Sequence, residues 1–340
     1  MGLLDWFKNR SEQFSSDEPT DEILARAVEK AVTLTNPRLK LVDDYLERLR
    51  GPVARSVDYL RTKLADLPPE IDVSVANWAT EPALRAFFAR PEDLSGALGR
   101  SRNLRTFFGK YPELEQAHII LGMTYNERHV QGLSLRGDVI RQDATQAVID
   151  FSVPRMRICG HTDQEVRRLL GAQSFEYLVA QAMTEISEVR SERLELEDSR
   201  NLIRARLRLL QQQGPGLGSV FEAAPESAEH MKLESALLEN ERLLDELGSS
   251  QEVLEHELQA LCKVLDDPER YFRFERTRLR LSTLNVVLDE SSSDVASDVE
   301  FTMAVLSGVP KVKRAFVLGR MKRSELPALK LDIANAERFL

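Results

Sequence analysis

The residues with the widest chemical range lie together at Cys159-Gly160-His161, with Asp163 two positions further on. A thiol and an imidazole at this spacing can form a thiolate nucleophile or supply two ligands to a metal. His118 and Asp150 are candidates to join them across a sheet. Structural filler is the competing reading. Cys-x-His lacks the repeated ligand spacing of a structural zinc site, and an unpaired cysteine commonly behaves as a small buried hydrophobe. The other histidines, His129, His230 and His256, are scattered.

The sequence contains no GxSxG elbow, HExxH helix or GxxxxGK[ST] phosphate loop. Gly214-Pro215-Gly216-Leu217-Gly218 is glycine-rich, but it follows a helical pattern rather than a strand. Pro215 also removes one of the N–H groups that a phosphate cradle needs. The expectation is a non-enzymatic protein with no catalytic, metal or cofactor-binding residues.

Two basic runs are candidates for binding anions. Arg276, Arg278 and Arg280 alternate along one stretch, and Lys311, Lys313 and Arg314 open another. On neighbouring strands they would form a phosphate-binding patch, with Tyr271, Phe272 and Phe274 available to stack on bases. The alternative is a solvated strand face balanced by the acidic residues of 289–300 or by an acidic helical arm. A third candidate is Leu3, Leu4, Trp6 and Phe7, one apolar turn suited to contact with a membrane surface.

The bulk properties fit these readings. The chain has 340 residues and a formal net charge of −9, which argues against whole-protein affinity for nucleic acid. No apolar run approaches the roughly 20 residues of a membrane span. Two distant cysteines suggest a reducing compartment. The expected location is cytoplasmic, or peripheral to the inner face of a membrane.

The elements that position these residues follow from hydrophobic period. Residues 1–19 read as an apolar opener and a polar tether. Residues 20–112 read as a bundle of short helices, with Gly51-Pro52 breaking one of them. Residues 113–161 and 268–326 carry strand patterns and form an antiparallel head, although Val295–Leu306 also fits a helix. Residues 327–340 form a tail.

Between the strand groups, 162–267 is long and helical. Thr162-Asp163-Gln164-Glu165 is a capping box, and Gly171 marks an expected kink. Apolar residues then recur four and three apart from Phe175 to Leu210 and again from Leu233 to Leu265, the seam of a coiled coil. The second helix is expected to run unbroken through Gly248, and the tip lies near 214–224. Pairing the seams inward from the tip sets Leu210 against Leu233, Leu207 against Leu237, Leu196 against Leu247 and Val189 against Leu254. Arg193 then lies beside Gln251. Arg200 and Asn240 remain as polar seam residues, positions where water or a partner would enter.

The fold expected is α+β and predominantly α: a helical bundle, a small antiparallel sheet and a projecting coiled-coil hairpin. The leading functional expectation is a scaffold that offers this arm to protein partners, with homo-oligomerisation open. Polyanion binding and peripheral membrane attachment are the alternatives.

Overall fold

The computed structural model describes residues 21–136, 139–212, 225–246, 250–289, 295–307 and 312–327. The apolar opener Leu3, Leu4, Trp6 and Phe7, the 214–224 tip, Lys311 and residues 328–340 lie outside them. Helices α1 (Asp21–Thr35), α2 (Tyr45–Ala65), α3 (Pro82–Phe87), α4 (Pro91–Arg100) and α5 (Arg102–Lys110) precede the long strands β2 (Gln116–Arg136) and β3 (Val139–Gly160). The short β1 (Ile71–Asp72) lies between α2 and α3. Then come α6 (Asp163–Gln212), α7 (Pro225–Glu246), α8 (Ser250–Asp266), the turn α9 (Pro268–Tyr271), β4 (Phe272–Ser282), β5 (Ala296–Leu306) and β6 (Val312–Lys322). The fold is α+β and helix-dominated.

The chain divides into two compact units. Of the described residues, one contains those of 58–175 and 268–327; the other contains those of 21–57 and 176–267. The helices of 20–112 are therefore shared between the units, with α1 and the start of α2 in one and α3–α5 in the other.

In the first unit the strands order β3-β2-β6-β5-β4, antiparallel throughout, and β1 adds to β6 in parallel. Strands from both sides of the long helices share this sheet, as an insertion between strand groups requires. One face buries Ala117, Ile119, Leu121 and Met123 of β2 with Val299, Phe301, Met303 and Val305 of β5 against α3–α5. That alternation decides the ambiguous 295–306 segment. Period-two burial places its large residues on the core face, and the segment is strand.

Two positions carry steric information. A Cβ on Gly319 would lie 2.4 Å from Val73 Cγ2, so the 71–73 segment can pack over β6 only because that position lacks a side chain. Gly171 causes no break in α6. A Cβ there would lie 2.7 Å from Leu64 Cδ1, so the glycine serves the close approach of α6 to α2.

Strand β3 runs continuously through Pro154 because it bulges. Gly122 and Thr124 of β2 are two residues apart but face Arg155 and Ser152, which are three apart. The extra residue includes Val153, held at φ 51. That left-handed conformation suits glycine in a bulge and is unfavourable for a β-branched side chain.

Backbone carbonyls at the helix ends are satisfied by arginines. Arg167 donates to the carbonyls of Leu64, Leu67 and Pro68 beyond the end of α2. Arg323 donates to those of Phe108, Tyr111 and Leu114 around the end of α5. Arg105 donates to Gly99 and Pro327.

In the second unit, the expected break at Gly51-Pro52 does not occur, and α2 passes through it. Pro52 cannot donate to the Arg48 carbonyl four residues earlier. The Cys262 thiol of α8 donates to that carbonyl instead, with the sulfur 3.7 Å away. Ser56 further ties α2 to α8 by donating to the Leu265 carbonyl at 2.6 Å. Residues 247–249 lie outside the described set, so the expected passage of one helix through Gly248 does too; α7 ends at Glu246 and α8 begins at Ser250.

Two stability outcomes follow. Gly319→Ala should cost about 1–3 kcal/mol, because stiff Val73 cannot yield without moving β1. Val153→Gly should raise stability by about 1 kcal/mol by removing the left-handed penalty. Urea denaturation of both variants checks the opposite signs.

Candidate functional site

The Cys159 constellation separates into structural roles. Cys159 packs against the sheet core, and burial pushes its thiol up to about 12, far from a thiolate at neutral pH. His161 turns towards other partners. Its ring lies edge-on to Tyr111 and Phe107, at centroid distances of 4.4 and 5.3 Å, and Nδ1 is 2.8 Å from Glu165 Oε2. The same carboxylate accepts the His161 backbone N–H, while Thr162 Oγ1 accepts the Glu165 N–H at 3.1 Å. This is a variant of the expected capping box, with Glu165 reaching one residue further back.

Asp163 is engaged by Arg167, and His118 Nδ1 lies 2.6 Å from Glu70. Asp150 sits 3.7 Å from Arg128. The proposed members therefore pair elsewhere, and among the described residues no group of three or more His, Cys, Asp or Glu side chains is placed to hold a metal.

The basic runs lie on strands that are not neighbours. β5 separates β4 from β6. Arg276 and Arg278 both pair with Glu300, which stands opposite Arg278 on β5. Hydrogen bonding from Arg276, then from Arg278, holds the Glu300 carboxyl below its ordinary value. Arg314 bonds Thr124 on β2, and Lys313 lies over the Tyr125 ring. Arg280 lies on the same β4 face as Arg276 and Arg278. β4 ends the strand order, but residues 285–288 bond its 280–282 end and also bond β3 at 147–149, so the end that holds Arg280 is covered. Arg155 was missed from sequence. The β2 ladder places it on the same sheet face as Arg276, with buried Phe316 and Thr302 between them. Strand order was the missing information.

The second unit presents a different arrangement. Ion pairs join Glu185 to Lys263, Arg190 to Glu257 and Arg204 to Glu241. Later residues of α6 thus meet earlier residues of the α7–α8 segment. Every described seam residue in this unit is buried or half-buried. Val189, Leu247 and Gln251 are outside the described side chains, so three of the expected pairings cannot be placed on them; Arg193 bonds Glu197 on its own helix.

Glu257 is buried and holds two partners, Asn36 at 2.6 Å and Arg190 at 2.5 Å. Arg200 Nε and Asn240 Oδ1 are buried with no partner among the described residues. The open depression of about 660 Å³ in this unit is lined by Arg48, Arg55, Cys262, Lys263 and Asp266, among others. Most of its charges are paired, Arg48 with Glu255, Arg55 with Asp266 and Lys263 with Glu185. Burial also raises the Cys262 thiol, which donates to the backbone. The depression resembles a packing seam more than a reaction centre.

The Cys159 assignment has a measurable consequence. The neutral thiol is favoured by folding up to the ordinary thiol value of 9.0, and that contribution is lost as pH rises towards about 12. Iodoacetamide at pH 8 should therefore alkylate Cys159 at least about 100-fold more slowly in the native chain than in urea, with mass spectrometry as the readout.

No protein-family model matches this chain, and no curated protein or solved structure matches it.

Proposed function

We propose that this is a non-catalytic interaction protein whose α6 and α7–α8 helices form an antiparallel coiled-coil hairpin that binds protein partners. The observation that carries the reading is the ordered series of ion pairs from Glu185–Lys263 through Arg190–Glu257 to Arg204–Glu241. Charges that match across two helices over about 20 residues fix one register, and the described seam positions between them are shielded. Such a pair fills its own groove and turns its outer faces to solvent. Surface without an internal packing role is then available for binding.

Polyanion binding through Arg276, Arg278, Arg280, Lys313 and Arg314 draws less support. Arg276 and Arg278 share Glu300, and the strands that carry the two runs are held apart by β5. Retention on heparin that falls steeply with salt would reverse that ranking.

Two experiments test the reading. With Cys159 and Cys262 changed to serine, Arg204→Cys and Glu241→Cys should be joined within one chain by a short bis-maleimide; failure to cross-link removes the hairpin. Replacing 187–253 with a short loop should abolish partner capture while leaving the 58–175 and 268–340 unit folded. Unchanged capture would place the binding surface on the sheet unit instead.

A further inference from the structure

We infer that residues 285–288 are a releasable strap that closes the sheet of the first unit on itself, with the Asn285 side chain as its latch. β3 and β4 are the two ends of the strand order, and the strap bonds both. On the β4 side, the Ser282 N–H donates to the Val286 carbonyl and the Leu288 N–H to the Arg280 carbonyl, each at 2.9 Å. On the β3 side, the Val287 N–H donates to the Ala147 carbonyl at 2.8 Å, and the Ile149 N–H donates to the Asn285 carbonyl at 2.9 Å. Val286 thus stands opposite Val148, and Val287 opposite Leu281.

The two sides are not equally secured. The β4 side is a local hairpin within 280–288, and Ser282 Oγ reinforces its turn by accepting the N–H groups of Leu284 and Val286. The β3 side joins residues far apart in sequence through those two backbone bonds. No residue of 283–289 is buried; Val287 packs at the margin of the core, and Leu284 is 79% exposed. β5, by contrast, buries Val299, Phe301, Met303 and Val305 on one face. A segment with little buried apolar area and few long-range bonds opens more readily than the strands around it. The strap therefore parts from β3 while staying folded back on β4.

One side chain strengthens the β3 side. Asn285 Nδ2 donates to the Ala86 carbonyl at 2.9 Å. Ala86 lies in the last turn of α3, where a carbonyl has no helical donor. The next residue, Phe87, sets its ring 4.8 Å from that of Phe151 on β3. Asn285 thereby fastens the strap to a helix that itself packs against β3. Its φ of 56 is a left-handed conformation that asparagine tolerates better than most side chains. Latched, the strap shields the β3 edge at 147–149; released, it uncovers the Ile149 N–H and the Ala147 carbonyl, the groups an added strand would use.

Amide hydrogen exchange of the full chain, read residue by residue by NMR, tests the strap. The Ile149 and Val287 amides should exchange at least about 10-fold faster than those of the β5–β6 ladder, through an opening that leaves the ladder paired. Asn285→Asp keeps the size of the side chain and its tolerance of the left-handed conformation but removes the donor to Ala86. It should speed both amides by about fivefold or more, the worth of one ordinary hydrogen bond, and leave the ladder unchanged. A reversible lock gives the opposite sign. With Cys159 and Cys262 changed to serine, Val148→Cys and Val286→Cys stand opposite each other and should oxidise to a disulfide. Oxidation should slow the Ile149 and Val287 amides to the rate of the ladder, and reduction should restore the faster rate. Strap and ladder amides that exchange alike in the parent would overturn the inference. So would strap amides unchanged in Asn285→Asp, cysteines that do not oxidise, or a disulfide that leaves the strap amides fast.

Discussion

A backbone carbonyl left over at a helix end must find a donor, and side chains distant in sequence supply several of them here. Helix ends expose such carbonyls, and a proline inside a helix exposes one more. Arg167 answers three at the end of α2, Arg323 three around the end of α5, and Arg105 the carbonyls of Gly99 and Pro327. Cys262 answers the one that Pro52 releases. A planar fork of donors suits several converging carbonyls, which a lysine's point-like ammonium matches less well. Without these donors, α2, α5 and the segments they hold would each carry an uncompensated polar group.

This changes how the abundant arginine is understood. Arg323 belongs to the second basic run in the sequence, yet its guanidinium is committed to backbone and lies over the Phe108 ring. Arg320 of the same run is paired with Asp72, and Arg276 and Arg278 are paired with Glu300. Positive charge concentrated in sequence is thus dispersed in the fold. In the second unit residues 199–212 of α6 carry four arginines and no carboxylate, and Arg204 is paired with Glu241.

What was legible in the sequence was whatever a local period encodes. The alternation of Val299, Phe301, Met303 and Val305 marks β5, and the four-three spacing marks the long helices. Thr162 through Glu165 marks the start of α6, although the cap reaches His161. What was not legible depended on partners distant in sequence. Gly51-Pro52 looks like a break until Cys262, over 200 positions later, supplies the missing donor. Gly171 looks like a kink until Leu64 arrives against it. The order of the strands decides whether Arg276 and Arg314 are neighbours, and nothing local fixes that order. The same holds for Cys159 and His161, whose separation in role depends on Glu165, Tyr111 and the sheet core.

The polar residues in the helical seam show what kind of stability this element has. An apolar side chain in place of buried Glu257 would avoid a desolvation cost, yet the carboxylate ties Asn36 near α1 to Arg190 of α6 at one register only. Arg200 and Asn240 lie further along the same seam, each with a buried polar atom that finds no protein partner among the described residues. A seam of leucine alone would tolerate a shift by one heptad at little cost, since every layer would look alike. Here such a shift would separate Arg190 from Glu257 and Arg204 from Glu241 together. In the proposed hairpin, the Arg190–Glu257 and Arg204–Glu241 pairs therefore select one alignment at some cost in stability.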